Sequence, residues 1–267
     1  MNYWDYYLEP VKYTDDCYHI GSKNAPCWLV KSSDGLILID TGLPQTLYQI
    51  LLNVDLLGLN YRDVKHIIHS HGHIDHIGGT RALVALTGAK TYIGAGDADT
   101  VTGKNRLQWT NEFNRPFEEP FEPDCILRDG DQITIGDKEF RFYETPGHTR
   151  GTLTFFFNVN DKGKKYTAGM FGGGGLKSMS KEYLEKYGLP FSLRQSFLDG
   201  IDRMFDMVPD VHLGNHLGDN KHFEKLEKLK SGAAQESEIN PFIDGSSWKW
   251  FLSKRRAEAV EFFENDK

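Results

Sequence analysis

The sequence predicts an α/β fold of layered sheets and helices, and three observations favour it. In the first half of the chain, short apolar runs alternate with stretches that have helical spacing. The second half is mostly strand, divided by Gly-Asp, Pro-Gly and Asp-Lys-Gly turns, with helices after it. No linker and no short repeat interrupts the 267 residues. We therefore expect a single domain, residues 1–267, built from two related halves.

In the first half, turn residues and apolar spacing define the elements in order. A hairpin is indicated by two apolar runs around the turn 32–35, and Pro44 is suited to the first turn of the helix that follows. The segment 109–123 contains three prolines and is predicted to be a surface loop. The predicted strands are 27–30, 35–40, 64–69 and 89–93, and the predicted helices are 44–57 and 77–87.

The second half has the stronger strand signal. Four short β-rich runs precede a run of four glycines, 172–175, which we expect to form a loop where the backbone approaches another group closely. Helical stretches occupy most of the chain after it. The predicted strands are 132–135, 138–144, 152–159 and 164–168, and the predicted helices are 181–186, 191–207, 221–230 and 248–263.

Composition excludes several classes of protein. The formal charge is −7 and no basic block is present, so nucleic acid is not an expected partner. Cys17, Cys27 and Cys125 are far apart and have no CxxC spacing, which argues against disulfides and a thiolate zinc cluster. The first residues lack the pattern of a signal peptide, and no run approaches the roughly 18 apolar residues of a membrane span. We expect a cytoplasmic protein without membrane contact.

Most of the candidate metal ligands lie in one loop between a predicted strand and a predicted helix. Neutral imidazoles and a carboxylate at this density are typical of a hydrolytic zinc site. Two further histidines, His148 and His216, each lie on a Gly-flanked turn after an apolar run. His69 adjoins the loop. It either supports the ligands or has no role in the site, and the sequence does not decide between these alternatives. The loop ligands are His71, His73, Asp75 and His76, whereas His19, His66, His212 and His222 are interpreted as ordinary core or surface residues.

This motif, HxHxDH, resembles that of the metallo-β-lactamase superfamily. The preceding Leu38-Ile-Asp40-Thr-Gly42 and the later Pro146-Gly-His148-Thr and His216 extend the resemblance over nearly the whole chain. The segments 146–152 and 240–244 and the lack of a cysteine ligand are similar to the third subclass of these lactamases. The resemblance implies a four-layer αββα sandwich with metals in a groove at one edge.

The resemblance also implies two zinc ions per chain, although iron or manganese would suit the same ligands. Asp40 would support the ligand loop from beneath. Asp75 would orient the nucleophile as well as bind metal. The first ion would be held by His71, His73 and His148, and the second by Asp75, His76 and His216.

Two departures from the family pattern bear on the substrate. The segment 166–172 has no aspartate to bridge the metals, so the bridge would be a hydroxide, as in the third-subclass lactamases. Met170 and Gly172 stand where those lactamases usually place serines for the drug carboxylate. This argues against β-lactam turnover, as does the lack of a signal peptide.

The sequence therefore predicts a zinc-dependent hydrolase of a small amide, lactam, lactone or ester. A thioesterase or lactonase of the same fold is the alternative, and a non-catalytic binding module stapled by metal is another. A nuclease or phosphodiesterase would need more basic surface.

Aromatic residues outside the ligand loop are candidates for the walls of the groove that binds a small-molecule substrate. The alternative is that they only cover the sandwich. The aromatic C-terminal helix could support a homodimer, but its spacing favours packing on the core. The candidate wall residues are Trp109, Phe113, Met170, Tyr183 and Tyr187.

Overall fold

The computed structural model describes residues 2–113, 116–231 and 240–267. Its strands form two sheets. The seven-stranded sheet follows chain order from β1 to β7, and the five-stranded sheet has the order β12-β11-β10-β9-β8. The strands are β1 Val11–Lys12, β2 Cys17–His19, β3 Trp28–Ser32, β4 Gly35–Ile39, β5 Val64–Ile68, β6 Lys90–Gly94, β7 Cys125–Leu127, β8 Gln132–Ile135, β9 Lys138–Glu144, β10 Leu153–Asp161, β11 Lys164–Phe171 and β12 Val211–His212.

The described helices cover the outer faces of both sheets. One apolar cluster joins the first sheet to helices α1 and α3, and another joins the second sheet to α6 and α8. A larger cluster lies between the sheets. The layers therefore run helix, sheet, sheet, helix, which confirms the predicted αββα sandwich. The helices are α1 Leu47–Leu56, α2 Ile74–Ile77, α3 Thr80–Thr87, α4 Ala98–Val101, α5 Lys181–Tyr187, α6 Ser192–Met204, α7 His222–Lys230 and α8 Ser246–Asn265.

Strand β10 shows why the sandwich is stable. Its Phe155 and Phe157 belong to the cluster between the sheets, whereas Phe156 points to the opposite side, against the helices. All three rings are buried. Because successive strand residues face opposite sides, this strand is covered on both faces, and each buried ring contributes about 2 kcal/mol.

The predicted helix over 77–87 is wrong in its boundaries. The chain instead forms α2 and α3, which are separated at Gly78 and Gly79. A β-carbon on Gly79 would lie 2.6 Å from the carbonyl oxygen of Thr41, and one on Gly78 would collide with Pro44. The break therefore places the loop after β4 directly against the helical turn that carries Asp75 and His76.

The C-terminal helix α8 packs on the second sheet, as its spacing predicts. Trp248, Phe251 and Leu252 are buried there. Homodimer formation through this helix stays a prediction. Among the described helices, none combines the length and the apolar character that crossing a bilayer would require.

Candidate metal centre

The site is assembled where several strands end. Asp40 follows β4, the loop with His71, His73, Asp75 and His76 follows the parallel neighbour β5, and two more turns arrive from the second sheet. Parallel strands end on the same side of a sheet, so residues distant in the chain meet there. His148 lies after β9, and His216 lies after β12.

Two groups of side chains could each hold a metal ion. His71, His73 and His148 form one group, and His71, Asp75 and His76 form the other, with ligand atoms inside each group within 4.8 Å of one another. In the first group the three imidazole ring centroids are 4.5–4.8 Å apart. The structure therefore brings together five of the six predicted ligands.

The sixth predicted ligand, His216, lies at the edge of the second group. Its Nε2 is 3.9 Å from Asp75 Oδ2, and its ring centroid is 5.4 Å from that of His76. Its side chain is 46% exposed. The backbone N–H of His216 donates to Asp219 Oδ2 at 3.0 Å, which fixes the turn. His216 is therefore placed to complete the second position from the solvent side.

The hydrogen bonds of His148 and His71 show that a cation fits between them. His148 Nδ1 lies 2.7 Å from the Gly175 carbonyl, which can only accept, so Nδ1 carries the proton. Ser70 Oγ donates to Asp40 Oδ2 and therefore accepts from His71 Nδ1 at 3.0 Å. Both Nε2 atoms are then unprotonated and face each other at 3.2 Å. A zinc ion would accept both lone pairs, and imidazole nitrogen is one of its usual ligands.

The second position is built around His76 and two carboxylates. His76 Nδ1 donates to Asp40 Oδ2 at 2.8 Å, and its buried Nε2 lies 3.4 Å from Asp75 Oδ2. Asp40 also accepts from the Ser70 N–H and hydroxyl, at 2.8 and 2.7 Å. Asp40 thus contacts His76 directly and is linked to His71 through Ser70. Carboxylate partners of this kind raise the basicity of an imidazole ligand.

Electrostatics differ between the two positions. Burial holds the pKa values of His71 and His73 well below the usual range, and it lowers that of His148 to about 4. Burial also opposes charge on His76, but the carboxylates of Asp75 and Asp40 outweigh it and raise its pKa to about 10. Without metal, the first position is therefore a set of neutral imidazoles, and the second contains an ion pair that a metal would replace.

Several site residues have no signal in the sequence. Ser70 links Asp40 to His71, and Asn215 Nδ2 donates to Ser70 Oγ at 3.0 Å. Ser178 Oγ donates to the carbonyl of His148 at 2.7 Å. Serine and asparagine are common in any loop, and only the fold shows which of them contact a ligand.

The glycine run passes along the ring of His148, as predicted from its composition. A β-carbon on Gly173 would lie 2.5 Å from His148 Cδ2, and one on Gly175 would lie 2.9 Å from His148 Cε1. At Gly172 a β-carbon would collide with the backbone of Leu153. A serine for a substrate carboxylate has no room at Gly172.

The predicted wall residues separate into two sets. The ring of Trp109 lies 5.4 Å from that of His73 and 4.9 Å from that of Tyr183, and Tyr183 contacts Tyr187 at 4.5 Å. This aromatic row covers one side of the metal centre. The prediction that Met170 lines the groove is wrong, because this residue is fully buried in the core between the sheets. Phe113 ends a short helical turn, but its side chain lies outside the described residues.

An open cavity of about 530 Å³ lies beside the centre, and none of the predicted wall residues with a described side chain lines it. Asp75 and its neighbour Ile74 are among the residues that line this cavity. The lining combines apolar side chains with two carboxylates on the segment after residue 115. The other lining residues include Tyr3, Asn24, Leu43, Pro44, Thr110, Pro116, Glu118 and Glu119.

The histidines that were not predicted as ligands lie outside both groups. His69 is buried, with Nε2 3.2 Å from Thr80 Oγ1 and Nδ1 3.9 Å from Asp40. It therefore packs behind the aspartate that orients the ligands. His19 is unusual, since both ring nitrogens are buried without a hydrogen-bond partner among the described residues.

Comparisons with known proteins agree with this geometry. Residues 21–161 match the family model described as the metallo-beta-lactamase superfamily. The chain is 33% identical over 94 residues to a hydroxyacylglutathione hydrolase of Rhodospirillum rubrum, covering 35% of this chain and 29% of that protein. It is 28% identical over 165 residues to the acyl-coenzyme A thioesterase MBLAC2 of Bos taurus, covering 55% of this chain and 57% of that one.

Solved structures are similar over more of the chain. BJP-1, a subclass B3 metallo-beta-lactamase of Bradyrhizobium japonicum, has a TM-score of 0.87 and 26% identity, covering 100% of this chain and 97% of that one. FEZ-1 from Legionella gormanii has a TM-score of 0.86 and 24% identity, covering 97% of each chain. The B3 likeness thus extends to residues beyond the family model.

Proposed function

Because this chain belongs to the metallo-beta-lactamase superfamily, we propose that it is a zinc-dependent hydrolase with two metal positions. The observation that carries the proposal is the pair of facing Nε2 atoms of His71 and His148, 3.2 Å apart, whose Nδ1 atoms face the Ser70 hydroxyl and the Gly175 carbonyl, respectively. His73 completes the first position, and Asp75, His76 and His216 hold the second. Bound zinc would supply hydroxide at neutral pH and an electrophile for a substrate carbonyl.

The residues of the chain have separable tasks in this reaction. Asp75 is both a proposed ligand and part of the lining of the open cavity, so its carboxylate can accept a hydrogen bond from the attacking water and orient it. Asp40 orients the His76 ring so that Nε2 faces Asp75 and the site. Trp109 and Tyr183 exclude water from the His73 side.

The substrate we propose is a small amide, lactam, lactone or ester. The cavity beside Asp75 has the volume of a typical small-molecule site. Its Glu118 and Glu119 have no ion-pair partner among the described side chains and would disfavour an anionic group at this end. A penicillin carboxylate would also miss the serines discussed above.

Thioester hydrolysis is the second candidate. The two curated relatives named above are a hydroxyacylglutathione hydrolase and an acyl-coenzyme A thioesterase, which favours this reaction. The matched stretch covers 29% and 57% of their lengths, so their activities reach this chain only as a proposal.

The proposal is tested with purified protein, metal analysis and a chromogenic panel of β-lactam, lactone, ester and thioester substrates. We expect close to two zinc ions per chain and hydrolysis of at least one class. Asp75→Asn should lower kcat/KM by about 100-fold or more. The control is Asp55→Asn, on an exposed position of α1. Zinc well below one ion per chain, with hydrolysis intact in Asp75→Asn, would overturn the proposal. Tight metal binding without hydrolysis would favour the binding-module alternative.

A further inference from the structure

A second buried carboxylate, Asp97, lies beside the metal centre without belonging to either group of ligands. It ends the turn Ala95–Asp97 after β6 and is only 2% exposed. No motif in the sequence marks it. Its three hydrogen bonds all reach the two loops that carry the first metal position.

The hydrogen bonds of Asp97 join these loops directly. Its Oδ2 accepts from the Gly72 N–H at 2.8 Å and from the Thr149 hydroxyl at 2.6 Å. Its Oδ1 accepts from the Gly151 N–H at 3.1 Å. Gly72 stands between His71 and His73, and Thr149 follows His148, so one carboxylate connects the segments of all three imidazoles.

The loop backbones pack closely against the Asp97 side chain. A β-carbon on Gly72 would lie 3.2 Å from Asp97 Cγ, and one on Gly151 would lie 2.7 Å from it. The Thr149 and Thr152 hydroxyls are 2.8 Å apart, and since Thr149 donates to Asp97, Thr152 donates to Thr149. The loop backbones thus contact the Asp97 carboxylate on both sides.

We propose that Asp97 is a positioning residue that sets the affinity of the first metal position by holding the His71–His73 loop and the His148 loop at a fixed separation. The inference rests on the proposed function, because it assumes that the site binds metal. Asp40 acts mainly on the other position, because it binds His76 directly and reaches His71 only through Ser70. The chain thus has one buried carboxylate beneath each metal position.

Thr149 offers a matched pair of variants that tests the hydrogen bond without removing the buried charge. Thr149→Val keeps the shape but removes the donor, whereas Thr149→Ser keeps the donor. We expect Thr149→Val to weaken zinc binding at the first position by about 10- to 100-fold, with the second position unchanged. The zinc affinity of Thr149→Ser should remain within about threefold of the wild-type value. Asp97→Asn should lose more zinc affinity than Thr149→Val.

The readouts are zinc affinity by competition with a chromophoric chelator, the absorption spectrum of the cobalt-substituted protein, and urea unfolding of the metal-free protein. Asp124→Asn is the control. Asp124 Oδ2 accepts from the Thr91 N–H and hydroxyl at 2.8 Å and does not contact the metal loops. That variant should lower stability and leave zinc affinity and the cobalt spectrum unchanged.

Two results would overturn the inference alone: wild-type zinc affinity in Thr149→Val, or an equal loss in Thr149→Ser, which would assign the effect to packing. A wild-type protein that takes up no zinc would instead overturn the proposed function, and the inference with it.

Discussion

Asp40 shows how much a single residue does in this site. Its carboxylate accepts three hydrogen bonds, from the Ser70 N–H, the Ser70 hydroxyl and His76 Nδ1, while its own backbone has a φ of 59°. Aspartate and asparagine adopt this left-handed conformation more readily than other side chains. Both the backbone and the side chain of residue 40 are therefore specified by the ligand loop.

Asp40→Asn is expected to weaken the second metal position more than the first. The variant keeps the shape and tolerates the left-handed backbone, but its amide group replaces an acceptor with a donor. One of the three N–H or O–H groups would then lose its partner, which costs about 1–3 kcal/mol of stability. The measurements are zinc content after dialysis against graded chelator, and urea unfolding.

Asp124→Asn again serves as the control, since its carboxylate joins β6 to β7. Two zinc ions retained with wild-type affinity in Asp40→Asn would show that Asp40 does not orient the ligands.

At the scale of the element, side-chain contacts join the loop after residue 108 to helix α5. Tyr187 Oη donates to Glu112 Oε1 at 2.9 Å, and Lys186 pairs with the same oxygen at 3.0 Å. Trp109 lies between this helix and His73 and has a φ of 66°. A tryptophan in this conformation is strained, so the contact with Tyr183 holds it there.

Trp109→Gly and Trp109→Ala separate the strain from the function of the ring. Both variants remove the wall beside His73, and we expect both to lower turnover of the best panel substrate by about 10-fold. Glycine also relieves the strained backbone. The free energy of unfolding of Trp109→Ala should therefore be about 1 kcal/mol lower than that of Trp109→Gly. The measurements are kcat/KM and the urea midpoint.

Unchanged turnover in both variants would show that the aromatic row only covers the sandwich. An alanine variant as stable as the glycine variant would show that the backbone is not strained.

The whole molecule depends on contacts between the two sheets, and one of them is ionic. Asp16 lies between β1 and β2 of the first sheet, and its Oδ2 accepts from Lys138 Nζ of β9 at 2.6 Å. The backbone N–H of Asn160, on β10, donates to Asp16 at 2.9 Å. The side chain of Lys138 is 1% exposed, so this pair is buried at the seam between the halves.

Lys138→Ala is expected to lower the free energy of unfolding by about 3–5 kcal/mol, because Asp16 would keep a buried charge without its cation. The exposed Lys165→Ala is the control and should stay within about 0.5 kcal/mol of the wild type. The double variant Asp16→Asn/Lys138→Met should recover part of the loss, since no charge is left uncompensated. Urea unfolding measures all four proteins, and equal stability of Lys138→Ala and Lys165→Ala would contradict the expectation.

The sequence by itself predicted the layered α/β class, most strands and helices, and the ligands. Apolar periodicity and turn residues are local signals, and five of the six predicted ligands stand together in the structure. It also predicted the close backbone approach of the glycine run, because only glycine permits such contact. The assignment of the chain to one domain stays a prediction.

Tertiary structure alone decided the rest, because the decisive contacts join residues far apart in the chain. Asp97 meets Thr149 across 52 positions, and Asp16 meets Lys138 across 122. The break between α2 and α3 depends on where Thr41 and Pro44 pass. Met170 is buried because of the side of β11 on which it falls, and the open cavity is lined by residues from distant parts of the chain, such as Tyr3, Leu43 and Glu118. Periodicity reports which face of an element is apolar, but the partner of that face is determined only when the chain folds.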